Sequence, residues 1–292
     1  MTVISRRTLL TGALLAAPAL SGPRAAAGNR SSDLSHRVAD LERAYGGRLG
    51  VAVLDTARPE PAAYRGDERF PLCSTFKCIA AALVLARVDR QQESLSRRVV
   101  YGKEYLVPYS PITEKHVGAG GLSVGEICEA AITLSDNTAG NLMLDSFGGP
   151  SALTAYLRSL GDSVTRLDRT EPTLNEAEPG DPRDTTSPLA MLETLHKLVL
   201  GPALSAASRE QLAAWLVATK TGDKRLRAGV PRGWRVGDKT GSGRNNATND
   251  VAVIWPPGRA PIIVTAYYAE TGASEEERNA VLAEVGRLAA AA

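Results

Sequence analysis

What the chain lacks narrows its chemistry before any motif is read. It has no excess of charge: 34 basic residues against 32 acidic ones leave a net +2, too little basic surface to hold nucleic acid. No block of like charge is long enough to act as a tail, so a small molecule is the expected partner. It has three cysteines, Cys73, Cys78 and Cys128, an odd number in which at least one is unpaired or pairs between chains. It has three histidines, His36, His116 and His196, which stand far apart and outside any H-E-x-x-H pattern. A zinc site needs closely spaced ligands, so no metal and no cofactor are expected.

After residue 27 the chain also lacks any apolar run long enough to cross a bilayer, so no stable membrane anchor is expected. Before it, Ser5-Arg6-Arg7 precedes the apolar stretch Thr8–Leu20 and then Ala25-Ala26-Ala27, the order of a cleaved export signal over residues 1–27. The paired arginines resemble a twin-arginine signal, and the mature protein, residues 28–292, is expected to be soluble, monomeric and periplasmic or secreted. With 292 residues and 43% hydrophobic content, the chain can bury one large core or two lobes sharing an interface.

Periodicity then supplies the elements. Leu34, Val38, Leu41 and Tyr45 fall at helical spacing and Gly46-Gly47 ends them, which predicts a helix over 31–46. Residues 48–56, RLGVAVLDT, read as a buried strand, and IAAALVLARV, 79–88, as part of a buried helix with Ser74 at its start. Ser123–Glu126 and Ser208–Gln211 have the capping-box pattern, and Ser187-Pro188 suits an N-cap and first helical position. Towards the end, WRVGDKTG, NDVAVIW and PIIVTAYYA are strand-like, and a helix over 275–290 follows the box Ser274–Glu277. This order predicts an α/β protein of the α+β sandwich type. A mixed-to-antiparallel sheet lobe is built from both chain ends, about 28–72 and 220–292, and an all-helical lobe, about 73–219, is inserted, with the site between them. Residues 166–184 have no periodicity and many Pro, Asp and Glu; a loop of that length is a functional candidate.

The stretch CSTFKC, Cys73–Cys78, sets one hydroxyl between two thiols with an amine three residues after it. If Ser74 begins a helix, Lys77 shares its face and can reach the hydroxyl, and the helix N-terminus favours developing negative charge. A serine needs such help to act as a nucleophile near neutral pH. Alone, S-x-x-K is a weak signal that also reads as a cap and a surface lysine, Ser135-Asp136-Asn137 reads as a turn after a helix, and Lys239-Thr240-Gly241 as a turn between strands. A second K-T-G, Lys220-Thr221-Gly222, reads as the end of a helix, where a late Lys and a Gly are the local rule.

Taken in order, S-x-x-K, S-D-N and a strand-borne K-T-G resemble the pattern of class A β-lactamases and penicillin-binding proteins, and the likeness runs from about Arg48 to the C-terminus. Glu171-Pro172-Thr173-Leu174-Asn175 chooses between them. It resembles the class A E-x-x-L-N on a long loop, where the glutamate drives water onto the acyl-enzyme, whereas penicillin-binding proteins stay acylated. The resemblance implies that Ser74 opens the lactam ring and that Glu171 with Asn175 holds and deprotonates the hydrolytic water. Lys77, or Glu171 acting through water, is the base for Ser74. Ser135 relays a proton to the lactam nitrogen, Asn137 binds the substrate's side-chain amide, and Lys239, Thr240 and Gly241 receive its carboxylate. The backbone N–H groups of Ser74 and Ser242 would face the oxyanion.

Many class A enzymes add an arginine at the position of Thr248, and others supply one from the segment that KTGDKRLRAG resembles, which makes Arg225 the candidate here. Arg169 and Asp184 match a pair that closes the long loop at its neck. Cys73 sits where some members carry half of a disulfide, but the partner position is Gly243; a Cys78–Cys128 bond is the remaining possibility, against three buried free thiols. Tyr109 resembles an aromatic wall beside the substrate and reads equally as a packed loop residue. Ser242 and Cys73 resemble broad-spectrum members and Gly243 departs from the carbapenemase pattern, so penicillins and cephalosporins are the expected substrates and carbapenems poor ones. The competing functions are a DD-peptidase and a β-lactam sensor that acylates and stops; Glu171 and Asn175 argue against both.

Overall fold

The computed structural model of the chain describes residues 24–118 and 120–291, and residues 24–32 by their backbone alone. Residues 1–23 of the expected export signal lie outside the described residues. Helix α1 runs Arg24–Tyr45, further back than its apolar spacing predicts; alanines at its start are the strongest helix formers. Strands β1 (Arg48–Asp55), β2 (Ala62–Tyr64) and β3 (Phe70–Pro71) follow. A 3-10 turn, Cys73–Thr75, opens the helical stretch and leads into α2 (Phe76–Asp89). After the short β4 (Arg98–Val99) and β5 (Leu122–Ser123) come α3 (Val124–Thr133), α4 (Asn137–Phe147) and α5 (Gly149–Ser159). Next are β6 (Thr185–Thr186), α6 (Pro188–Leu195), α7 (Ala206–Val217) and the single turn α8 (Leu226–Gly229). Strands β7 (Arg235–Ser242), β8 (Thr248–Trp255) and β9 (Ile262–Ala269) and helix α9 (Glu275–Ala290) complete the chain.

The main sheet has the order β2-β1-β9-β8-β7, and every neighbouring pair in it is antiparallel. Strand β1 pairs with β9 from Arg48↔Ala269 to Asp55↔Ile262, so the two ends of the chain share one sheet. Side chains alternate across a strand, yet β8 and β9 are buried almost throughout because both faces are covered. On one face Val51, Val53, Ile254 and Val264 pack with Leu34 and Val38 of α1 and Leu282 and Val285 of α9. On the other, Ala52, Val251, Val253 and Ile263 join a larger cluster with Ile79 of α2, Leu192 of α6 and Leu216 of α7. Full burial of one such side chain contributes about 1.5–3 kcal/mol, so these two interfaces, rather than any cap, set the sheet's place between helices. Strand β7 is left as an edge, and the helical stretch meets the sheet there.

The caps mostly fall where the sequence predicts. Ser123 and Ser274 form complete capping boxes with Glu126 and Glu277, and Ser187 accepts from Ala190 N. The expected box at Ser208 is displaced: Ser205 caps α7, and Ser208 sits inside the helix and donates to Asp89 Oδ1 at 2.7 Å. Asp89, at the end of α2, also accepts from Ser205 N and Ser205 Oγ, so a distant carboxylate and not Gln211 receives the backbone N–H of the cap. The second K-T-G does not end a helix either. Helix α7 stops at Val217 with Ala218 as its C-cap, and Lys220-Thr221-Gly222 lies in the loop beyond.

Candidate active site

The nucleophile candidate sits at a corner. Cys73 takes a left-handed φ of 44°, the 3-10 turn follows, and Thr75 Oγ1 ties the turn down by donating to Leu72 O at 2.7 Å. Lys77, one turn further on, is fully buried, and its Nζ reaches Ser74 Oγ at 2.9 Å. The same ammonium donates to Ser135 O at 2.9 Å and Asn137 Oδ1 at 2.7 Å and pairs with Glu171 Oε1 at 2.9 Å. Burial pushes the Lys77 pKa down while the Glu171 charge pulls it back up, and the net direction is downward. An amine eased towards its neutral form beside a hydroxyl is the arrangement that can accept a serine proton.

The S-D-N segment joins α3 to α4. Ser135 takes a φ of 59°, which carries its side chain towards the two lysines: its Oγ lies 3.5 Å from Lys77 Nζ and accepts from Lys239 Nζ at 3.0 Å. Asp136 is a structural carboxylate. It caps α4 through Ala139 N and accepts from Ile112 N, Thr113 N and Thr113 Oγ1. Asn137 spends its amide on Lys77 at one end and on Pro108 O at the other, 2.9 Å away, and its N–H donates to Tyr109 O. Asn137 thereby holds the loop from which Tyr109 projects, 60% exposed.

The long loop brings in the carboxylate. Glu171 is 2% exposed; Ser74 Oγ donates to its Oε1 at 3.3 Å, and Asn175 Nδ2 donates to its Oε2. Asn175 Oδ1 is buried without a hydrogen-bond partner in the protein. The neck of the loop is closed as expected: Arg169 Nε donates to Asp184 Oδ2 at 2.6 Å, while Asp184 Oδ1 accepts from the backbone N–H groups of Asp168 and Arg169. Arg169 also pairs with Glu176 across the loop. One residue that motif reading missed holds Glu171 directly. Asn141 of α4 accepts from Glu171 N and donates to Glu171 O, both at 2.9 Å. Its signal was available, since it lies four residues after Asn137 and therefore on the same helical face.

Strand β7 supplies the opposite wall. Lys239 is fully buried; burial and then the like charge of Lys77 push its pKa down from 10.5 to about 7. Gly241 serves close approach: a Cβ there would stand 3.0 Å from Leu72 O and 3.2 Å from Cys73 Cβ, so glycine lets the strand end press against the Ser74 turn. Arg225 does not stand free. Its guanidinium is spent on Gly241 O, Asn249 O and Asn279 Oδ1, and it reaches the site only through Ser242 Oγ, at 2.8 Å. It braces the end of β7 and faces the site beside Ser242. Arg278 of α9, unremarked in the sequence, donates to Thr248 Oγ1 at 2.8 Å.

The cysteines have no part in the chemistry shown. All three are free and buried, and the Cys78–Cys128 bond is absent; Cys78 Sγ instead donates to Thr75 O at 2.9 Å. Burial pushes the Cys73 and Cys78 thiols up to about 12, which withholds the reactive thiolate. Cys73 does face the position expected for its partner, since a Cβ on Gly243 would lie 2.7 Å from Cys73 Sγ. Among the described residues no group of three His, Cys, Asp or Glu side chains could hold a metal. A hollow of about 250 Å³ lies beside the long loop, lined by Arg48, Arg169, Leu174 and Arg183 among others; it includes Arg169 of the neck but not Ser74, Lys77, Ser135, Glu171 or Lys239.

A hydroxyl bound to a buried amine and a buried carboxylate, with a second hydroxyl and lysine opposite, defines a serine hydrolase site at the junction of sheet and helices. The comparisons agree. The family model described as the Beta-lactamase enzyme family matches residues 33–292. The chain is 48% identical to Beta-lactamase CTX-M-8 of Citrobacter amalonaticus, over 98% of this chain and 97% of that one. Among solved structures, an ancestral (GNCA) class A β-lactamase is 69% identical with a TM-score of 0.86, covering 87% of this chain and 98% of that one. The putative class A β-lactamase PenP of Rhodopseudomonas palustris is 60% identical with a TM-score of 0.88, covering 89% and 99%. The chain belongs to the class A β-lactamases, hydrolases that open β-lactams and confer resistance to them.

Proposed function

We propose that this enzyme hydrolyses β-lactams through an acyl-enzyme on Ser74. The Ser74 hydroxyl proton passes to Lys77, or through water to Glu171, as Oγ adds to the lactam carbonyl. The tetrahedral oxyanion is received by the N–H groups of Ser74 and Ser242, and collapse breaks the C–N bond as Ser135 relays a proton to the nitrogen, taking its replacement from Lys77 Nζ, 3.5 Å away. Glu171, with Asn175, then takes a proton from a water that attacks the ester and returns it to Ser74 Oγ as the acyl C–O bond breaks, releasing Ser74 and the opened acid. A positioned base is worth about 10²- to 10⁴-fold and an oxyanion donor about 10²- to 10³-fold. Turnover therefore needs them together.

The observation that carries this reading is the shared contact of Ser74 Oγ with Lys77 Nζ at 2.9 Å and Glu171 Oε1 at 3.3 Å, with Asn175 on the other carboxylate oxygen. The unpartnered buried oxygen of Asn175 supports it, because buried polar atoms are satisfied as a rule and a bound water supplies the donor. Lys239, Thr240 and the Arg225-braced Ser242 bind the substrate carboxylate, and Asn137 and Tyr109 border its side chain. Penicillins and cephalosporins are the substrates and carbapenems poor ones. Residues 1–27 direct export through a twin-arginine-like signal, and the mature enzyme works as a monomer with sheet residues 28–72 and 220–292 flanking helical residues 73–219. The test is a time course with a chromogenic cephalosporin. Sustained turnover by the native enzyme and a single burst from Glu171→Gln support the mechanism; a single burst from the native enzyme contradicts it.

A further inference from the structure

The two K-T-G copies meet in the fold, and their meeting gives the loop copy a task. Thr221 Oγ1 lies 2.6 Å from Thr240 Oγ1. Contacts on either side hold it there. Thr219 Oγ1 donates to Asp238 O at 2.7 Å, Lys220 N donates to Thr133 O at 2.9 Å, and Arg225 N donates to Gly222 O at 3.0 Å. Gly222 approaches β7 so closely that a Cβ would stand 1.9 Å from Asp238 Oδ2. Thr240 is 5% exposed and Thr221 half-buried, so both hydroxyls are drawn away from bulk water.

Two hydroxyls that share one contact own two protons, and only one lies between them. The other is free to point outward. When Thr221 donates, Thr240 turns its own proton away from the pair, and each bond in such a chain strengthens the next. When Thr240 donates instead, it presents only lone pairs to whatever lies beyond it. An anion beside Thr240 selects the first arrangement.

We propose that Thr221 is a positioning residue for the substrate carboxylate, donating to Thr240 and so holding the Thr240 proton on the anion. The proposal rests on the reading above that Lys239 and Thr240 receive that carboxylate. Its effect is on recognition; no covalent bond changes at Thr221. A hydrogen bond of this kind is worth roughly a 2- to 10-fold change in an equilibrium.

The test compares kcat/KM for a chromogenic cephalosporin and for its carboxylate methyl ester, in native enzyme, Thr221→Val and Thr221→Ser. The expected result is a fall of about 3- to 10-fold for the acid in Thr221→Val, less than twofold for the ester, and recovery for the acid in Thr221→Ser. Equal losses on acid and ester, or no loss on the acid, with the native preference for the acid intact, would overturn the role of Thr221 alone. Native enzyme that handled acid and ester equally well would overturn the carboxylate reading, and the proposal with it.

Discussion

The same three residues, Lys-Thr-Gly, occur twice in this chain and end in different physical situations. At 239–241 they lie on the edge strand β7, where the lysine is fully buried and donates to Ser135 Oγ and Thr240 O. At 220–222 they lie in the loop after α7, and the lysine is exposed. Both glycines permit close approach, but to different partners: Gly241 to Leu72 and Cys73 beside Ser74, Gly222 to the Asp238 carboxylate. A tripeptide acquires chemical meaning from the element that carries it. On β7 the lysine reaches Ser135 and the threonine meets Thr221, whereas the loop copy meets the strand through Thr221 and the close approach of Gly222.

The largest expected effect separates the two lysines. Lys239→Ala should lower kcat/KM for a carboxylate-bearing β-lactam by about 10²-fold or more, and Lys220→Ala should stay within twofold, as surface substitutions commonly do. Comparable losses in both variants would dissolve the distinction. The loop neck comes next. Arg169→Ala or Asp184→Ala frees the segment that positions Glu171, and loss of about 1 Å in placement costs on the order of 10- to 100-fold. Deacylation followed by pre-steady-state kinetics should slow by that amount while acylation is nearly unchanged; unaltered deacylation in both variants removes the clamp from the mechanism.

The glycines give a stability comparison. Gly222→Ala forces a methyl group to within 1.9 Å of Asp238 Oδ2, and Gly241→Ala meets its nearest neighbour at 3.0 Å. Overpacking of this kind costs about 1–3 kcal/mol, so urea unfolding should show Gly222→Ala at the upper end and Gly241→Ala nearer the lower. The smallest effect is a shift in pH profile. Lys239 is protonated below a pKa lowered to about 7 and neutral above it, so the cation proposed to meet the substrate carboxylate is present at low pH and lost as pH rises. In the free enzyme, kcat/KM for the acid should show an alkaline limb displaced from the ordinary lysine range towards 7, and the methyl ester should show a flatter profile. An alkaline limb unmoved from about 10 would contradict it.

Much of this was legible in the residues. Strong periodicity marked β1, β7–β9 and α9, and the boxes at Ser123 and Ser274 marked helix starts, because these signals are local. The gathering of Ser74, Lys77, Ser135, Glu171, Asn175 and Lys239 followed from motif order and resemblance. Where reading failed, the partner was distant in sequence. Ser208 has a box pattern with Gln211, but Ser205 caps α7, and Asp89 accepts from both serines. The bracing of Arg225 by the carbonyls of Gly241 and Asn249 had no local signal in the sequence either. Asn141 held Glu171 without any motif of its own. The three thiols are free and buried, one of the two arrangements that the residues left open.

The most direct test of the acyl-enzyme account is intact-protein mass spectrometry of native enzyme and Glu171→Gln after mixing with excess cephalosporin, followed by peptide mapping. The account predicts an adduct that persists on Ser74 in Glu171→Gln and disappears from the native enzyme once substrate is exhausted. An adduct on any other residue, or one that leaves Glu171→Gln as fast as it leaves the native enzyme, would contradict it.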